Sequence, residues 1–170
     1  LPEGIEGLDH PNVVTSDDVL LGEAEVGHNV AIVGGSSMGV ETADFILQDP
    51  DKKVLVVEMM HGILMDISHD AELALMDKLY KKDFREAVST KVTAIRPDNG
   101  KLDLYVERYG QPEVIKGFDT GVIAVGVKPN DELGQALLET RDGVYLVGDC
   151  EAAGDYRKAV HDAAEVGLKI

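Results

Sequence analysis

NVAIVGGSSMGVETAD, residues 29–44, carries a strand, a turn and a helix signal in direct succession. Val30-Ala31-Ile32-Val33 is a short apolar run of the kind that makes a strand buried on both faces. Gly34, Gly35, Ser36, Ser37, Met38 and Gly39 follow without a spacer, and a helical pattern then lets Val40, Ala43, Phe45, Ile46 and Leu47 face a sheet. A tight turn of this type delivers free backbone N–H groups at a helix N-terminus, where the partial positive charge of the dipole favours a pyrophosphate. The stretch reads as the strand, turn and helix of a dinucleotide-binding unit.

Set against G-x-G-x-x-G, Gly34 supplies the sharp turn and Gly39 the close approach of helix to strand, while Ser36 stands where the second glycine belongs. A serine there adds a Cβ and a hydroxyl, which either obstruct the ligand or hydrogen-bond it. Further on, Lys53-Val54-Leu55-Val56-Val57 reads as the next parallel strand, with Glu58 at its carboxyl end. A carboxylate at that place accepts hydrogen bonds from the hydroxyls of an adenosine ribose and repels a 2′-phosphate, which argues for NAD over NADP. The alternative is a nucleotide-free α/β scaffold whose glycines serve packing alone.

Size and composition narrow the classes. With 170 residues, 44% of them hydrophobic, 18 glycines and 6 prolines, the chain suits one compact α/β domain or a domain plus part of another. The net charge of −16, from 32 acidic against 16 basic residues, disfavours nucleic acid and anionic membrane as partners and reads as a solvated surface. A single cysteine, Cys150, permits no internal disulfide and no cysteine-based metal site, which fits a cytoplasmic, reducing setting. No apolar run approaches a bilayer's thickness, no signal-peptide pattern is present, and a start at Leu1 suggests a piece of a longer chain.

Residues 1–27 read as a linker with few elements of its own, apart from a short helix capped by Thr15-Ser16-Asp17-Asp18. Met59 to Met65 reads as a methionine-rich loop that packs in a core or interface, and His61 and His69 as exposed loop residues rather than metal ligands. An amphipathic helix is expected over Asp70 to Asp83, with Ala71, Leu73-Ala74-Leu75, Leu79 and Phe84 facing inward. The period then falls to two. Val88 to Ile95, Leu102 to Arg108 and Glu113 to Lys116 predict an antiparallel meander turning at Asn99-Gly100. A buried strand over residues 118–125, a helix from Asp131 to Leu138, a last strand over Val144 to Val147 and a closing helix from Asp155 to Leu168 complete the chain. The fold class is thus α/β: a Rossmann-like parallel sheet with helices on both faces and a three-stranded meander insertion.

Taken together, IVGGSSMGVETADF, VVE at the second strand, IAVGVKPND and VYLVGDCEAA resemble the nicotinamide-binding domain of pyridine-nucleotide-disulfide-reductase-like flavoproteins. Within that group the likeness is to the C-terminal part of multidomain NADH:flavin oxidoreductases that include 2,4-dienoyl-CoA reductase, enoate reductase and trimethylamine dehydrogenase. The resemblance covers nearly the whole chain. It implies an FAD-adjacent linker over 1–27, an NAD(H)-binding domain over 28–140 and a C-terminal piece of the FAD domain over 141–170. By carry-over, Gly34, Gly35, Ser36, Met38 and Gly39 would hold the pyrophosphate of NADH and Glu58 the ribose. Glu41 would lie near the nicotinamide, Gly126 to Pro129 would border it, and Gly148 and Asp149 would serve FAD.

The resemblance implies partners in the remainder of the same polypeptide: an FAD domain, and a barrel with FMN and an iron–sulfur cluster. A homo-oligomer is compatible with it. No residue reads as a general acid, base, nucleophile or metal ligand, so the chemistry falls to the cofactors. The expectation is an NADH-docking domain of an NADH:flavin oxidoreductase that binds NADH weakly and turns over nothing alone. Its alternative is a structural or electron-transfer module without nucleotide, as in trimethylamine dehydrogenase relatives. A third reading, an independent NAD-sensing domain, has no use for the late GDC motif.

Overall fold

The computed structural model describes Pro2 and residues 4–170. The chain forms two compact units, one running to Val125 and the other from Gly126 to Ile170. In the first, β1 (Val13–Thr15), β2 (Asn29–Val33), β3 (Lys53–Val57), β4 (Phe84–Ala87) and β8 (Thr120–Ile123) make a parallel sheet in the order β1-β8-β2-β3-β4. A second, antiparallel sheet consists of β5 (Thr90–Asp98), β6 (Lys101–Arg108) and β7 (Gln111–Phe118). Helices α1 (Ser16–Leu20), α2 (Ser37–Ile46) and α3 (His69–Leu79) complete the unit.

Strand β2 lies between β3 and β8, with Val30 opposite Val54 and Thr120, so both of its edges are paired and both of its faces covered. Alternation along the strands splits the core in two. Val30 and Ile32 of β2, Val54 and Val56 of β3 and Val122 of β8 pack with Val19, Val40, Ala43, Ile46 and Leu79 on the helical face. Ala31, Val33, Val57 and Ile123 point the other way and pack with Val92, Ile95, Leu102, Leu104 and Val106 of the meander. The α/β class, the parallel sheet and the meander are as expected. The second face is covered by the meander itself, in place of a helical layer, because the meander's apolar side supplies the area the sheet needs.

Several local expectations are corrected. Residues 1–27 contain a strand: β1 extends the sheet parallel to β8, and Val13-Val14 was too short a run to carry a period. Thr15 caps α1 as expected, its Oγ1 accepting the Asp18 N–H at 3.1 Å while Asp18 Oδ2 accepts the Thr15 N–H at 2.8 Å. On α2, Val40, Ala43, Ile46 and Leu47 are buried but Phe45 is exposed. Helix α3 ends at Leu79, so Phe84 starts the edge strand β4; its inward residues are Met76 and Leu79, whereas Ala71 and Leu73 face solvent.

The methionine-rich loop packs in the core through its aliphatic residues and not through its methionines. Ile63 and Leu64 are buried there, while Met59, Met60 and Met65 are exposed.

The second unit holds α4 (Glu132–Leu138), a 3-10 turn over Gly148–Cys150 and α5 (Tyr156–Gly167). Val144 to Val147 form no strand, since a strand exists only with a hydrogen-bonded neighbour and no strand among the described residues pairs with it. Asp155 caps α5 through the Lys158 N–H at 2.9 Å, and no residue of that helix is buried. Among the described residues no helix is long and apolar enough to cross a membrane.

Candidate nucleotide-binding site

The chain leaves β2 toward β3 and β4 on one side, then returns through the meander to β8 on the other. The carboxyl end of β2 is therefore the point where connections diverge, the usual ligand crevice of a parallel sheet. The glycine turn lies there. Gly34 has φ +113, its N–H donates to the Val57 carbonyl at 2.9 Å, and a Cβ on it would fall 2.4 Å from the Ala124 carbonyl oxygen. Gly39 lets α2 rest on the turn, since a Cβ there would fall 2.0 Å from the Gly34 carbonyl oxygen. At Gly35 the obstruction would come from the Ile63 and Glu58 side chains, at 2.5 and 2.9 Å.

Glu58 comes to the same mouth. Its Oε2 accepts the Gly35 N–H at 2.6 Å and its Oε1 the Met60 N–H at 2.7 Å. The Glu58 N–H donates to Ala87 at 2.9 Å and its carbonyl accepts the Thr90 N–H at 2.8 Å, so the acid is held from both sides. Each carboxylate oxygen retains a lone pair for a hydroxyl donor.

Ser36 is the N-cap of α2, with extended backbone, an exposed side chain and no capping bond from that side chain. The anion at the helix end is Asp66 instead. The Ser37 N–H donates to its Oδ1 at 2.9 Å and its Oδ2 at 3.0 Å, and Ser37 Oγ donates to Oδ2 at 2.6 Å. Asp66 was missed in the sequence because it lies in a loop without period, and only proximity in space gives it a role.

The structure thus gathers Gly34, Gly35, Ser36, Gly39 and Glu58 at one place. Met38 follows in the first turn of α2 with an exposed side chain, and Glu41 is exposed further along the same helix. Gly126, Pro129, Gly148 and Asp149 belong to the second unit. Gly126 and Pro129 lie in an exposed loop. Gly148 is buried, donating to Asp162 at 3.4 Å, and Asp149 Oδ1 accepts the Gly154 N–H at 3.1 Å. Cys150 donates its thiol hydrogen to the Val147 carbonyl at 3.1 Å. His61 is exposed, and His69 opens α3 beside Glu72 at 3.1 Å.

A cavity of about 200 Å³ opens beside the turn, between Val33, Gly34, Glu58, Val92 and Val125. A larger hollow of about 510 Å³ lies at the opposite ends of the strands, by Asn29, Lys53 and Arg85. Ligands of parallel sheets sit outside the carboxyl ends, which favours the smaller one. It is below the roughly 300–1,000 Å³ common for enclosed ligands, so a dinucleotide would extend beyond it across the open turn.

Two buttresses set the site's frame. Asp44 on α2 pairs with Lys78 and with Lys82 at 3.3 Å. Burial opposes its charge, but these two lysines outweigh burial and leave its carboxyl below the usual range. Asp119, ahead of β8, pairs with Lys101 and accepts the Asn29 N–H at 2.9 Å. The Lys101 bond, then the Asn29 amide, hold its carboxyl below the usual range.

Comparison with known proteins agrees with this geometry. The chain is 33% identical over 159 residues to the bilirubin reductase of Mediterraneibacter gnavus, covering 93% of this chain and 24% of the relative. It is 28% identical over 171 residues to the NADH oxidase of Thermoanaerobacter brockii, covering 98% of this chain and 26% of that protein. The chain therefore spans about a quarter of the length of these curated relatives. Among solved structures, a 2-naphthoyl-CoA reductase superposes with a TM-score of 0.83 at 26% identity, over 100% of this chain and 25% of the other. The thioredoxin reductase of T. acidophilum shares the fold, with a TM-score of 0.70 at 20% identity over 99% of this chain and 60% of the other. Residues 2–165 match the pyridine nucleotide-disulphide oxidoreductase family, and the chain belongs to it.

Proposed function

We propose that the first unit docks NADH within a longer flavin oxidoreductase and presents it for hydride transfer to FAD. The observation that carries this is the shared mouth: Glu58 lies 2.6 Å from the amide of Gly35, so a sugar and a diphosphate of one nucleotide fall within reach of one cradle. The residues fit the group. The glycines at 34, 35 and 39 let strand, turn, helix and Glu58 close on one another with no Cβ between them, and the first amides of α2 have no helical carbonyl to meet. Glu58 would accept the ribose hydroxyls, and the amides of Ser36, Ser37 and Met38 would meet the diphosphate.

When bound, the nicotinamide supplies a hydride and the flavin accepts it. The chain's own part is to bind, to orient and to select. Glu58 would place negative charge where a 2′-phosphate would lie, which favours NADH over NADPH by about tenfold or more. Glu41, Gly126 and Pro129 would border the nicotinamide. Gly148 and Asp149 would contribute to the flavin side, and FMN and an iron–sulfur cluster would belong to the parts of the relatives that this chain does not span. Alone, the chain turns over no substrate, and it works in a cytoplasmic setting.

A second reading, a structural or electron-transfer module without nucleotide, draws support from Ser36 in the second glycine position and from Asp66 on the Ser37 amide. Calorimetric titration with NADH and NADPH separates the two. Docking requires measurable NADH binding, preference over NADPH, and a loss of about tenfold or more in Glu58→Ala. Binding of neither nucleotide, with Ser36→Gly equally inert, refutes docking and leaves the second reading.

A further inference from the structure

We propose that Asp66 is a tethered competitor for the diphosphate: its carboxylate occupies the Ser37 amide, and tight nucleotide binding requires that the segment around it leave α2. This rests on the docking reading above and adds a regulatory element to that site. Both oxygens of Asp66 meet the Ser37 N–H, at 2.9 and 3.0 Å, and the Ser37 hydroxyl adds a bond of 2.6 Å. An exposed carboxylate thus sits on the first amide of α2, where the dipole's positive end draws an anion. A diphosphate offers the same chemistry with more charge, so it cannot share that amide and is repelled while the carboxylate is in place.

The loop is built to let its tip move while its base stays. The base is pinned to the glycine turn by the Leu64 N–H on the Gly35 carbonyl at 2.7 Å, to the end of β3 by the Met60 N–H on Glu58 at 2.7 Å, and to the link between β4 and β5 by the Ser89 N–H on the Met60 carbonyl at 2.7 Å. Ile63 and Leu64 are buried. Beyond them Met65, Asp66 and Ser68 are exposed, up to the start of α3 at His69. Met65 and Asp66 can swing away between two anchors, buried Leu64 and the half-buried Ile67 that packs against the core, and doing so breaks the Ser37 contacts.

The bland account is that Asp66 merely caps α2, since Ser36 makes no side-chain cap. The two accounts predict opposite signs for binding. Asp66→Asn keeps an acceptor oxygen and the loop's shape but removes the charge; Asp66→Ala removes both. Each variant is titrated with ADP-ribose, which carries the diphosphate, and with adenosine, which does not, and folding is checked by circular dichroism. The proposal expects ADP-ribose and NADH to bind about tenfold tighter to both variants, with adenosine unchanged and thermal stability equal or lower. Unchanged or weaker ADP-ribose binding in Asp66→Asn, with the unaltered chain still binding NADH, overturns the competitor and leaves docking intact. No binding of NADH or ADP-ribose by any of the three proteins overturns both.

Discussion

Glycine to alanine in a helix usually stabilises, by about 1 kcal/mol in an interior position. At Gly39 the structure reverses that sign. The new methyl would lie 2.0 Å from the Gly34 carbonyl oxygen and 3.0 Å from its carbon, with Ala124 Cβ at 3.3 Å. Ordinary contact begins about 1.4 Å beyond the first of these, and the obstruction is backbone, which has no rotamer through which to escape. Helix α2 cannot slide to make room, because Val40 and Ala43 are fully buried and Ile46 and Leu47 nearly so. A backbone clash this close belongs at the upper end of the roughly 1–3 kcal/mol that overpacking costs, about 3 kcal/mol against a propensity gain of about 1. The expected net loss is about 2 kcal/mol, or roughly 4–8 °C in Tm for a chain of this size.

Gly167 supplies the control, being in α5 with nothing within 4 Å of an added Cβ. Thermal denaturation followed by far-ultraviolet circular dichroism should show Gly39→Ala well below the parent and Gly167→Ala level with it or slightly above. NADH binding should be lost in the first and retained in the second. A Gly39→Ala protein as stable as the parent would refute the argument that this glycine exists to let helix and turn touch.

Other outcomes follow from the same structure. Asp119 has its folded pKa lowered by Lys101 and the Asn29 amide, so its stabilisation is complete above the unfolded value near 3.9 and is lost as pH falls through the folded value. Tm measured from about pH 5 downward should therefore fall more steeply in the parent than in Asp119→Asn, and parallel curves would deny the linkage. Leu104 is fully buried between the meander and the sheet, and Leu104→Ala should cost about 2–5 kcal/mol in urea unfolding; a loss under about 1 kcal/mol would mean that the meander does not share the sheet's core.

Residues 29–58 were legible because their signals are local. An apolar run flanked by a glycine turn describes β2 before any neighbour is known, and the acid at the end of the next run needs only the strand's length to be placed. Asn99-Gly100 likewise marks its hairpin by conformation, with both residues at positive φ. The short strands β1 and β4 were not legible: three or four residues carry no period, and each becomes a strand only because β8 or β3 offers a free edge. Val144 to Val147 shows the converse, a strand pattern without a partner in the described chain.

The site divides in the same way. Residue order alone determined the glycine turn after β2 and the acid that ends β3, since both follow from backbone conformation at the end of a strand. Tertiary structure alone decided that the meander covers the sheet's second face, that Glu58 bonds the amide of Gly35, and that Asp66 reaches Ser37 from a loop with no recognisable pattern. Those contacts join residues far apart along the chain, and their energies depend on distances that only folding sets.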